Sequence, residues 1–184
     1  MLRAHRSLVL LLCAVLLTIT GCASSQVRLR YVPTEELPAV TFMQHENIGL
    51  VQFTDARPTQ ILGIDKGKEL TAVSNVAAWV TRGLEKELKR QGATVTYVLS
   101  TQQITDIPTR VTGTISKLQI TPLSAGEYRG ELTLTIAIND DLPTTYKATV
   151  VKQGVPYTNI IEPLLAELLQ EAIAPAVPTI LAAQ

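Results

Sequence analysis

The run Ile48-Gly49-Leu50-Val51-Gln52-Phe53 is almost unbroken in its apolar character and has the length of a buried strand. It gives way to Thr54-Asp55-Ala56-Arg57-Pro58, a polar turn running into a proline. Residues 59–70 carry Gly63 and Gly67 and read as a loop. Val73, Val76, Ala77, Val80, Leu84 and Leu88 then recur at helical spacing, which predicts an amphipathic helix over about 71–91. Lys89 and Arg90 followed by Gly92 mark its end, and Trp79 falls at the border of the apolar stripe. Val95, Tyr97 and Leu99 share one face of the next strand. Val111, Gly113 and Ile115 keep one phase whereas Leu118 and Ile120 keep the other, so a bulge is expected near Ser116-Lys117. Leu132, Leu134, Ile136 and Ile138 alternate cleanly with smaller and polar residues. Asn139-Asp140-Asp141-Leu142-Pro143 turns that strand into a partner over 145–152. Asn159 and Glu162 form a capping-box pattern ahead of a stripe of Ile161, Leu164, Leu165, Leu168 and Ala172, and Pro175 and Pro178 stop or bend that helix. The order β-α-β-β-β-β-α predicts a single α+β domain, a mixed and mainly antiparallel β-sheet packed on one face by two α-helices.

Upstream the pattern changes. Met1-Leu2-Arg3-Ala4-His5-Arg6 is basic, an apolar stretch follows from Leu8 to about Ile19, and Gly21 stands before Cys22. That is the layout of an export signal with small residues at the cut. A transmembrane anchor would need about 20 apolar residues, more than this stretch holds. The chain therefore divides into a signal peptide over 1–21, a tether over 22–46 and a domain over 47–184. Within the tether, Val27, Leu29 and Tyr31 alternate with Arg28 and Arg30 as a short strand would.

Losing residues 1–21 leaves 163 of the 184 residues, enough for one core-forming domain, with 14 basic and 16 acidic side chains once Arg3 and Arg6 are gone. This balance lacks the clustered basic surface of a nucleic-acid binder; Arg82, Lys86, Lys89 and Arg90 alternate with Glu85 and Glu87 as a solvated helix face. Cys13 leaves with the signal, so Cys22 is the one thiol left and His45 the one histidine. No disulfide, thiol nucleophile or zinc cluster can be assembled from these, and neither a metal nor a cofactor is expected. A Ser-His-Asp triad would depend on His45, which sits in a polar approach to the first strand. Gly63-Ile64-Asp65-Lys66-Gly67-Lys68-Glu69 has a residue too few for a phosphate loop, and Glu69 stands where Ser or Thr would hold magnesium. The adjacent pairs Glu35-Glu36 and Asp140-Asp141 point to opposite sides of an extended chain and make poor acid–base dyads. Asp55 and Arg57, where a buried strand emerges, are the remaining candidates for a partner or ligand contact; a local structural pair is the competing reading.

Ile19-Thr20-Gly21-Cys22 resembles the bacterial lipobox. The resemblance implies cleavage between Gly21 and Cys22 by signal peptidase II and acylation of Cys22, whose thiolate is the nucleophile that takes the lipid. A plain secretory signal with a chance thiol is the alternative. Ala23 and Ser24 stand where an aspartate would hold such a lipoprotein back, which implies the outer membrane, facing the periplasm. The rest of the chain resembles the YajG-like lipoprotein family. The likeness lies in Ile48-Gly49-Leu50-Val51, Asp55-Ala56-Arg57-Pro58, Leu62-Gly63, the helix end Leu84-Glu85-Lys86-Glu87-Leu88-Lys89-Arg90-Gln91-Gly92 and Tyr146-Lys147-Ala148. That likeness implies a location and a fold, and brings no catalytic residues with it. The same strand-turn-helix opening resembles the curli secretion-channel family, which inserts long amphipathic β segments, whereas the three later strands here read as short.

These readings imply a lipid-anchored, non-enzymatic accessory or structural partner in the envelope. Its partners would be a membrane, through the lipid, and another envelope protein, with no nucleic acid and an open oligomeric state. A small-ligand or lipid-binding module is the second reading, using a groove lined by Leu164, Leu165 and Leu168. A subunit of a curli-secretion-like assembly is the third.

Overall fold

The computed structural model describes residues 24–33, 47–104, 106–139, 141–154 and 159–183; Gly21, Cys22 and His45 lie outside them. The longest strand organises the sheet. We number the strands β1 (Ser25–Val27), β2 (Asn47–Val51), β3 (Thr54–Asp55), β4 (Ile61–Asp65), β5 (Lys68–Ala72), β6 (Thr94–Val98), β7 (Thr109–Ser124), β8 (Glu127–Ile138) and β9 (Thr144–Gln153). One edge of β7 pairs in turn with β2, β3 and β4, all parallel, and its other edge pairs antiparallel with β8, which carries β9. β6 lies parallel to β2, β5 antiparallel to β4, and β1 parallel to β5. The mixed sheet with helices on one face is the expected α+β domain.

The bulge expected at Ser116-Lys117 is present as a register shift between Ile115 and Lys117. It lets Ile115, Leu118 and Ile120 all stay buried although their spacing breaks alternation. For the same reason β7 continues through 16 residues, and β8 and β9 run for 12 and 10. The later strands are therefore long, where the sequence pattern predicts short ones, because the bulge carries β7 across the change of phase and β8 pairs with it along nearly its whole length.

Residues 59–70 are not a loop. They hold the β4–β5 hairpin, closed by Lys66 (φ 49°) and Gly67 (φ 76°), the paired left-handed residues of a two-residue hairpin turn. Gly63 sits inside β4 because a Cβ there would come within 2.1 Å of the Ile120 carbonyl oxygen.

Helix α1 spans Val76–Arg90, later in starting than the expected 71–91, since Thr71 and Ala72 belong to β5. Asn75 caps it by accepting the Ala78 N–H at 2.9 Å. Its end is a Schellman closure at Gly92, with Gly92 N–H to Lys89 O and Ala93 N–H to Leu88 O, both 3.0 Å. Helix α2 spans Ile161–Ile173 and α3 spans Ala176–Ala182, with Pro175 at the bend between them. The capping box at Asn159 does not form. The helix begins one residue too late for it, leaving Ile160 at the cap with no side-chain bond and Glu162 in the first turn, where its charge suits the helix dipole.

α1 packs on β2, β3 and β6, and α2 on β8 and β9. The two helices meet where Gly83 makes room for Leu169, since a Cβ would approach that side chain to 2.7 Å. Ile161–Ala182 is long and apolar enough to cross a membrane, but most of it is buried against the sheet and its neighbours. The opposite sheet face is polar and rich in threonine, with Thr114, Thr135 and Thr145 side by side across β7, β8 and β9. Among the described residues no α-helix packs on this face of β7, β8 and β9, whereas at β2 the buried Ile104, just after a 3-10 turn over Thr101–Gln103, lies against Gly49.

Candidate functional site

Asp55 and Arg57 are brought together, chiefly with each other. Arg57 Nε donates to Asp55 Oδ1 at 2.8 Å and Nη2 to Oδ2 at 2.7 Å, a bidentate fork, and Nη2 also reaches Gln60 Oε1 at 3.3 Å. Hydrogen bonding from Arg57 holds the Asp55 carboxyl below its ordinary range, outweighing burial, which pushes the other way. Arg57 is only 8% exposed, and its Nη1 finds no partner among the described residues. Such geometry clamps the β3–β4 connection and leaves the carboxylate few free lone pairs for a ligand.

The start of the described chain is docked. β1 adds to the sheet, and the residues after it cross α1. Trp79 Nε1 donates to the Arg30 carbonyl at 3.0 Å, and the Tyr31 hydroxyl donates to the buried Glu87 carboxylate. Arg90 holds the other oxygen of Glu87 through Nε at 2.9 Å and Nη2 at 2.6 Å. Gln170 on α2 donates to the Val32 carbonyl. Leu29 and Tyr31 pack against the core beneath. Trp79, at the border of the apolar stripe, is buried because residues 29–31 cover it.

A cavity of about 460 Å³ opens at one end of the sheet, among Ser25, Val27, Asp65, Leu70, Tyr128 and Ile161. Val27, Leu70 and Ile161 give it an apolar wall. On its polar side the Tyr128 hydroxyl donates to Asp65 Oδ1 at 2.6 Å. Gly126 (φ 82°) lies at its rim, where the Gly154 N–H donates to the Gly126 carbonyl at 2.9 Å. The bond to Asp65, together with burial, pushes the Tyr128 phenol up to about 12. A phenol held protonated beside an occupied carboxylate offers neither a general base nor a ready acid at neutral pH. Among the described residues no group of three or more His, Cys, Asp or Glu could hold a metal ion.

The two raised phenols carry a prediction. Burial, with the bond to Glu87, raises Tyr31 above the ordinary tyrosine value, as the bond to Asp65 does Tyr128. Their folded pKa values exceed the unfolded ones, so their stabilisation is complete below about pH 10 and is lost as pH rises through the folded values. Unfolding midpoints in urea are expected to hold steady to about pH 10 and fall from there towards pH 12, with the lone Trp79 as the fluorescence reporter. A midpoint unchanged across that interval would contradict both bonds.

The groove expected along Leu164, Leu165 and Leu168 is absent: all three are at most 1% exposed and form core under α2. β9 pairs only with β8, so its outer edge is unpaired among the described residues. Lys152 of β9 is tied to Glu167 of α2 by an ion pair.

The class these features define is an α+β domain with one helix-covered and one open sheet face. No family model matches the chain, and no curated protein matches it in sequence. Among solved structures, it is similar to protein XCC0632 of Xanthomonas campestris, of family DUF330, with 10% identity over 87% of this chain and 94% of that one and a TM-score of 0.52. That likeness is one of fold. Looser likenesses, too weak to bear on function, include a minor lipoprotein of Acinetobacter baumannii (13% identity, 76% of this chain and 94% of that one, TM-score 0.45). Another is lipoprotein GNA1162 of Neisseria meningitidis (11% identity, 76% of this chain and 99% of that one, TM-score 0.38).

Proposed function

We propose that this chain is a YajG-like envelope lipoprotein, anchored through Cys22 in the outer membrane and facing the periplasm. There its domain acts as a non-enzymatic accessory or structural partner. The observation that carries this reading is the lipobox cysteine standing three residues before Ser25, a residue already paired in the sheet. On this reading only Ala23 and Ser24 stand between the anchor and the sheet. The unpaired β9 edge and the open threonine-rich face are the surfaces such a domain has to offer another protein. Crosslinking in intact envelopes, followed by capture of the native lipoprotein, is the test. A single envelope protein recovered in stoichiometric amount is the expected result. Recovery of lipid alone would sink the accessory role and favour the second reading, a small-ligand module, for which the 460 Å³ cavity is the specific support.

A further inference from the structure

We infer that the sheet end formed by the β4–β5 and β7–β8 turns rests against the membrane that holds the protein's own lipid. This rests on the lipid-anchored reading above. Cys22 is three steps along the chain from Ser25, and an extended chain covers at most about 3.6 Å per residue, so the acylated residue can lie no farther than about 11 Å from β1. The direction of β1 follows from register. β1 runs parallel to β5, Ser25 opposite Leu70, and β5 runs away from the Lys66-Gly67 turn. The chain therefore enters β1 from the end of the sheet that carries that turn. β4 aligns Gly63 with Ile120 of β7, which puts the Ser124–Glu127 turn at the same end.

The surface there suits a headgroup layer. Ile64 is 56% exposed and Leu123 41% exposed, both beside these turns, whereas Lys66, Gly67 and Lys68 form a basic tip. Asp65, Glu69 and Glu127 stand just behind it, so net charge supplies no strong attraction. The short link and the two apolar side chains hold this end down. The far end is the β8–β9 turn, where Leu142 is 93% exposed. Asn139 at that turn bonds Arg110 at the start of β7, and the remaining length of β7 spans about 40–45 Å at about 3.3 Å per residue. The β9 edge, unpaired among the described residues, lies along this axis, open to a partner approaching from the aqueous side.

Three precursors test the orientation: Ile64→Cys, Leu123→Cys and Leu142→Cys. Each adds the one free thiol of a mature chain whose Cys22 is consumed by lipid, and each alters an exposed side chain rather than the core. Each lipidated protein is labelled with a thiol-reactive fluorophore. It is then reconstituted into phosphatidylethanolamine–phosphatidylglycerol vesicles containing a headgroup-level quencher lipid. Labels at 64 and 123 should be quenched roughly fivefold more than the label at 142, given the ~40 Å separation. Equal quenching at all three, or more at 142, on a chain whose mass shows the lipid overturns the orientation alone. A mature chain whose mass shows no lipid overturns the anchored reading and the orientation with it.

Discussion

A Cys22→Ala precursor is expected to keep residues 1–21 and to carry no lipid, in its whole population. The size of the effect follows from the chemistry: the thiolate is the atom that forms the thioether, alanine has nothing equivalent, and the remainder of the mature chain supplies no second thiol. Each buried methylene of an acyl chain contributes about 0.8 kcal/mol to membrane binding, so loss of two or more chains is loss of the anchor. Mass spectrometry of the isolated protein reads both retention of the signal and absence of lipid. Thermal unfolding of the variant should match that of the parent domain, because Cys22 precedes β1 and no described contact depends on it. A Cys22→Ala protein that is cleaved and membrane-bound as before would end the lipoprotein reading.

The second large effect is expected at Asp55. Asp55→Ala leaves the Arg57 guanidinium, with a side chain 2% exposed, buried opposite no carboxylate. Stranding a buried charge in this way costs about 3 kcal/mol, or roughly 10 °C in Tm for a domain of this size. Asp55→Ala combined with Arg57→Leu should recover more than half of that loss, because the charge is removed along with its partner. The depressed carboxyl adds a pH signature. The stabilisation from Asp55 is present above its ordinary pKa near 4 and fades as pH falls through the lowered folded value, so the gap between parent and Asp55→Ala should close in acid. A double variant no more stable than Asp55→Ala would reject the clamp. If instead the variants fold normally but lose the crosslinked partner, Asp55 and Arg57 are contact residues.

The elements legible in the chain are those whose burial follows one simple period. Val76, Val80, Leu84 and Leu88 lie on the buried side of α1, and Leu132, Leu134 and Ile136 on the helix-covered face of β8. The β4–β5 hairpin was hidden because its signals are the opposite of a strand's. Gly63 is required by the close approach of Ile120, and the turn residues Lys66 and Gly67 look like polar loop until two left-handed φ values pair them. The expected start of α1 erred for a related reason: Val73 fits the helical spacing, yet it follows β5 and is exposed. At the candidate site, Asp55 and Arg57 are visible as a close pair in sequence, but their fork geometry is not. The end cavity could not have been read at all. Ser25, Asp65, Tyr128 and Ile161 come from four separate elements, and only the pairing of β1 with β5 and of β4 with β7 gathers them.

The docked start of the chain also has a mechanical consequence. On the lipid-anchored proposal, a pull on the anchor enters the fold along β1, which runs parallel to β5, so the load acts in shear across the hydrogen bonds between the two strands. β1 has three residues, and behind it stand the bonds of Arg30 to Trp79, Tyr31 to Glu87 and Val32 to Gln170. Under tension the chain would therefore yield in stages. β1 would slide first, then the clasp over α1 and α2. Anchored as proposed, the domain would have its first mechanical link at β1.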